Sequence, residues 1–114
     1  MIIEPDTIAR NLLDSAVFYL VPNMNPDGSF RGHLRTNAAG CNLNREWENP
    51  SLDKSPEVYQ VRSLMLETGC NFFLDVHGDE EIEANFFADC AGCPNWSPRL
   101  KNLFDQYFLK STLK

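Results

Sequence analysis

Two short apolar runs constrain this chain more than anything else in it: AVFYLV at 16–21 and NFFLDV at 71–76. The run at 16–21 is continuous and apolar and reads as a strand buried on both faces, and 71–76 reads as a second strand. Between them, PEVYQVRSLMLET at 56–68 carries the signals of a helix. Ser55 sits at the N-cap position, Pro56 at the first helical residue, Glu57 at the positive end of the helix dipole and Gly69 at the stop. Val58, Val61 and Met65 share one face of it. ANFFAD at 84–89 reads as a third strand, and PDTIARNLLDS at 5–15 as a short helix. The Ser-Pro start recurs at Ser97, followed by Leu100, Leu103, Phe104, Tyr107 and Phe108 at helical spacing. This order of elements implies an α/β fold: a mixed, largely parallel sheet with flanking helices. At 114 residues the chain is expected to be one domain, 1–114, with so thin a core that it reads as a slice of a larger one.

Composition removes several function classes. A hydrophobic content of 43% with 23% charged residues suits a globular chain rather than a disordered one. The net charge of −6 has the wrong sign for nucleic acid or an anionic membrane surface, so neither is expected as a partner. No apolar stretch approaches the ~20 residues that span a bilayer. The opening MIIEPDTIAR has acids where a secretory leader has basic residues, which points to a cytoplasmic protein. Cys41, Cys70, Cys90 and Cys93 are too few and too irregular for a disulfide framework and are expected to be reduced. Cys90 and Cys93 form a lone C-x-x-C, with no second pair to complete a zinc ribbon.

Against this acidic background, residues 21–47 stand out. They hold Asn23, Asn25, Asn37, Asn42 and Asn44, with three Gly and three Arg, and no acid lies between Gly28 and Arg45. Asn25-Pro26-Asp27-Gly28 is a turn signal: Pro26 fixes φ, Asp27 bonds its own backbone and Gly28 accepts positive φ. A guanidinium grips a carboxylate through two parallel hydrogen bonds, and Asn44 places an amide beside Arg45, so the pair suits a small carboxylate. Arg35 is placed to polarise a carbonyl or steady an oxyanion. The plain alternative is a solvated surface loop. In LDVHGDE at 74–80, His77 ends a strand before Gly78, suited to a cleft at a sheet edge, and Asp75 shares its face. The plain alternative there is a polar strand end. His77 and Glu80 also spell H-x-x-E, with His33 as the one other histidine, but spacing alone leaves that trio unassembled.

Taken together, NPDG, an Arg, LNR and a strand ending D-x-H-G resemble the zinc metallocarboxypeptidases of the carboxypeptidase A type, and the wording is closest to bacterial members of the cytosolic carboxypeptidase subfamily. The resemblance runs from about residue 17 to about residue 110. It implies a partial zinc-peptidase domain that hydrolyses C-terminal residues from peptides or proteins, with Zn2+ as cofactor. It implies His77 as third metal ligand, Asn44 and Arg45 as the pair binding the substrate's C-terminal carboxylate, and Arg35 as the catalytic residue stabilising the tetrahedral oxyanion. The family's upstream H-x-x-E, its downstream catalytic glutamate and the subfamily's N-terminal β-domain have no counterpart here, and Asn42 stands where many relatives carry Asp. The expected chain is therefore the middle piece of a carboxypeptidase, inactive and without stoichiometric zinc on its own, with Arg35, Asn44, Arg45 and His77 converging on one cleft. A non-catalytic peptide-carboxylate-binding domain or an inactive remnant is the alternative.

Overall fold

The structure is a computed structural model that describes residues 7–78, 86–94 and 96–112. It divides into two compact units, Met1–Phe73 and Leu74–Lys114.

In the first unit, α1 spans Thr7–Ser15 and buries nothing. Helix α2 spans Pro26–Arg31. The expected Asn-Pro-Asp-Gly turn is the first turn of this helix: the Asn25 side chain accepts from the Gly28 N–H, Pro26 occupies the first helical position, and Gly32, at φ 71°, ends it. A single 3-10 turn follows at Leu43–Arg45, with the Asn42 side chain accepting from the Asn44 N–H. Helix α3 covers Pro56–Thr68 and stops at Gly69, whose φ of 77° suits glycine alone. Its Val58 is fully buried, with Val61 and Met65 half-buried on the same face, as the spacing requires. Ser55 departs from expectation. Its hydroxyl makes no bond to the helix it precedes and turns instead to Ser51 and Glu46.

The sheet is a correction. Among the described residues no strand forms at 16–21, at 71–76 or at 86–89, and the one ladder contact is an isolated antiparallel bridge between Thr36 and Asn42. Residues 84 and 85 of the third expected strand lie outside the described residues. The physical reason is that a strand is completed by its neighbours. Apolar content alone does not order it, and Val17 and Leu20 stand about four-fifths exposed. The interior of this unit lies elsewhere: its buried side chains are Leu43 and Val58, with the polar Asn37 and Ser55.

In the second unit, α4 spans Pro98–Thr112. The Ser97 hydroxyl accepts from the Leu100 N–H and its carbonyl from the Lys101 N–H, so the second Ser-Pro start behaves as a cap. Phe87 packs edge-on against Phe104 and Phe108, at ring-centroid distances of 5.5 and 4.8 Å, and these two stack at 5.7 Å. The aromatic stripe of α4 is thus a packing face, as its periodicity implies.

Candidate functional site

The Asn residues that crowd the loop hold it together. Asn25 receives the Gly28 N–H at 3.0 Å and donates from Nδ2 to the Thr36 carbonyl, also at 3.0 Å. Its own N–H goes to Asn23 Oδ1 at 2.9 Å. Gly28 is needed at this closure, because a Cβ there would meet Asn25 Nδ2 at 2.2 Å and the Thr36 carbonyl oxygen at 2.5 Å. Asn37 is 1% exposed and closes the next stretch. Its Oδ1 accepts from the N–H groups of Ala39 and Cys41, both at 3.0 Å, while its Nδ2 donates to the Lys54 carbonyl at 2.8 Å and the Glu57 carboxylate at 3.1 Å. An amide offers two donor hydrogens and two acceptor lone pairs, and all four are used. Asn42 then caps the 3-10 turn through Oδ1 at 3.1 Å from the Asn44 N–H, and its carbonyl accepts from the Arg45 N–H at 2.9 Å. That bond needs only an acceptor oxygen, so Asn serves at position 42 as Asp would.

This scaffold places Arg35 at one foot of the Thr36–Asn42 bridge and Asn44 and Arg45 just past the other. All three are exposed, and Arg45 Nη1 donates to the neighbouring Asn44 carbonyl at 3.3 Å. Three of the four sequence-predicted site residues therefore belong to one loop of the first unit. His77 belongs to the second unit. Its Nε2 lies 2.8 Å from Asp75 Oδ2, so the support expected from Asp75 is present, although on irregular backbone rather than on a strand. A carboxylate only accepts, so Nε2 donates in this contact, which fixes the orientation of the ring.

One imidazole does not make a catalytic zinc site, which takes three protein ligands. Among the described residues no group of three or more His, Cys, Asp or Glu side chains gathers to hold an ion. The residues described here thus do not fit a complete zinc centre. Glu80, the other half of H-x-x-E, lies outside the described residues, and His33 is an exposed residue following α2. All four cysteines are free thiols. Sequence reasoning missed Asn37 and Glu57. The signal for Asn37 was an Asn three residues before Gly40 in N-A-A-G, the pattern of a side chain bonding its own loop.

A loop that exposes two Arg and one Asn side chain, with no acid in sequence between Gly28 and Arg45, has the chemistry to bind a small carboxylate. Comparison with known proteins narrows it. The zinc carboxypeptidase family profile matches residues 2–99. The chain belongs to the zinc carboxypeptidase family. A solved chain from Shewanella denitrificans is 57% identical with a TM-score of 0.82, covering 92% of this chain and 28% of that one. A metallo-carboxypeptidase from Pseudomonas aeruginosa, solved in complex with (2-guanidinoethylmercapto)succinic acid, is 56% identical with a TM-score of 0.71, over 78% of this chain and 24% of that one. The cytosolic carboxypeptidase-like protein 5 of Danio rerio is 48% identical over 63 residues, 55% of this chain and 7% of that protein. The chain thus corresponds to part of a zinc carboxypeptidase domain and spans about a quarter of the solved relatives' length. Among the described residues, no helix is long and apolar enough to cross a membrane.

Proposed function

We propose that this chain carries the carboxylate-recognition part of a cytoplasmic zinc metallocarboxypeptidase, whose activity is removal of C-terminal residues from peptides or proteins. The observation that carries the reading is the loop itself. Its amide side chains and turns are consumed by internal hydrogen bonds, while Arg35, Asn44 and Arg45 stay at the surface with no acid between Gly28 and Arg45. In this reading Asn44 and Arg45 grip the terminal carboxylate of a peptide. Arg35 steadies the oxyanion that develops at the scissile carbonyl. His77, held by Asp75, offers one ligand to zinc. That the Pseudomonas relative was solved with a succinic acid derivative is in keeping with a pocket for carboxylates.

That no three ligands gather among the described residues favours a second reading: a peptide-carboxylate-binding domain that does not turn substrate over. One experiment addresses both. The chain is titrated with (2-guanidinoethylmercapto)succinic acid and followed by amide NMR, then assayed with zinc and a chromogenic C-terminal peptide. Shifts centred on Asn44 and Arg45, weakened at least about tenfold by Arg45→Ala, are expected. No shift at millimolar ligand overturns the clamp. Turnover abolished by a chelator replaces the binding-domain reading with that of a self-sufficient enzyme.

A further inference from the structure

Both arms of the loop end on the same few residues. Asn37, two positions after Arg35, is tied to the Lys54 carbonyl and to Glu57. Glu46, directly after Arg45, accepts from the Ser55 hydroxyl at 3.4 Å, and that hydroxyl in turn accepts from the Ser51 N–H at 3.2 Å. Ser55 is fully buried and Asn37 nearly so. The segment Ser51–Glu57, the entry to α3, is therefore where the Arg35 arm and the Asn44–Arg45 arm meet, besides their own bridge at Thr36 and Asn42.

A local rule is broken here. Ser55 precedes Pro56 in a standard N-cap position, yet its side chain forms no cap bond to α3. Its carbonyl accepts from the Tyr59 N–H as a cap residue's does, while its hydroxyl reaches the loop. A side chain that forgoes its own helix to hold a neighbour is expected where the neighbour's geometry matters.

We propose that the entry to α3 is a brace that sets the spacing between Arg35 and the Asn44–Arg45 pair, with Asn37 as its positioning residue. Asn37 has no contact with substrate in this scheme and acts only through the arginines. Its significance rests on the clamp reading above. The chemistry is specific. The Asn37 amide must donate to Glu57 and Lys54 while accepting from the two N–H groups of Ala39 and Cys41, so no other side chain of its length completes the set. Asn37→Asp keeps the acceptor but sets a carboxylate against the Glu57 carboxylate. Adding Glu57→Gln gives that carboxylate a donor again.

The test uses the whole chain and the same dicarboxylic acid. Asn37→Asp is expected to weaken ligand affinity about tenfold, and Asn37→Asp with Glu57→Gln to recover part of the loss. In an Arg45→Ala background, Asn37→Asp is expected to cost clearly less affinity than in wild type while still lowering the unfolding midpoint, because the spacing it sets then serves only Arg35 and Asn44. Losses that multiply in that background, or a lowered midpoint with affinity unchanged, would make Asn37 a purely structural residue and overturn the proposal. If wild type binds nothing, the clamp reading fails separately and amide shifts decide the brace: Asn37→Asp must move Arg35 and Arg45 as well as residues 37–41. Should Asn37→Asp fail to fold, Ser55→Ala replaces it. That variant is expected to shift Arg45 and Glu46 while the Ala39 and Cys41 amides stay protected; their unchanged shifts at 45 and 46 would overturn the proposal.

Discussion

Residues 16–21 and residues 22–57 are neighbours in sequence and opposites in how they are ordered. The first is almost wholly apolar and lies exposed without regular structure. The second is rich in Asn, Gly and Arg, yet contains the buried residues Gly28, Asn37, Leu43 and Ser55. The difference is one of range. The polar loop satisfies its backbone with side chains close in sequence, mostly two to four residues away. The apolar run has to find a paired strand and a covering layer, and hydrophobicity supplies no partner by itself. Hydrophobic content therefore predicts what a segment needs, while side-chain hydrogen bonding predicts what it can do unaided.

The comparison breaks most sharply at Gly28. A Cβ there would strike the Thr36 backbone and Asn25 at once. Gly28→Ala is expected to destabilise the first unit by about 3 kcal/mol, the upper part of the range for overpacking, read from the urea midpoint. A cost near zero would mean that the loop is far more pliant than its bonds imply.

Next come two valines of equal chemistry. Val58 is fully buried and Val17 is 79% exposed. Val58→Ala is expected to cost about 2 kcal/mol, two buried methyl groups and the cavity they leave, and Val17→Ala less than about 0.5 kcal/mol. What the exposed run governs is association. Light scattering is expected to show self-association that grows with concentration and falls with Leu20→Lys. Equal costs for the two valines would place the run in a core.

The same contrast separates what was legible in the sequence from what was not. Both ends of α3 and the start of α4 were readable, because Ser-Pro starts and a stopping Gly69 act within one turn. The strands were not, because their ordering depends on residues distant in the chain. Ser55 was placed correctly and given the wrong bond, since its choice of Glu46 depends on where the loop folds back. The N-A-A-G pattern marks Asn37 as a residue that bonds its own loop, but its bond to Glu57 depends on where α3 packs. Arg35, Asn44 and Arg45 were singled out for their chemistry, and their roles came from a family resemblance that no periodicity could supply. The relation of His77 to them rests on that resemblance still.

The smallest expected effect lies in the second unit, where a distant contact is electrostatic as well as apolar. Lys101 on α4 pairs with Asp105 one turn on and lies 3.7 Å from Asp89, two residues past the Phe87 that packs on the same helix. The hydrogen bond that Lys101 donates to Asp105 is the main cause raising the Lys101 pKa above 10.5, against a partial desolvation that lowers it. A cation whose pKa is raised by folding adds stability that is fully present below its unfolded value and is lost as pH climbs through its folded value. The pair is solvent-accessible, so the contribution is small. The expected result is a difference in unfolding midpoint between wild type and Lys101→Gln that holds constant from neutral pH to about 10 and then closes, given the ordinary lysine range. High salt should shrink it throughout, because exposed charges are screened. A difference that grows in alkali would mean that Lys101 is held neutral, and that the segment around Asp89 is fastened to α4 by the phenylalanines alone.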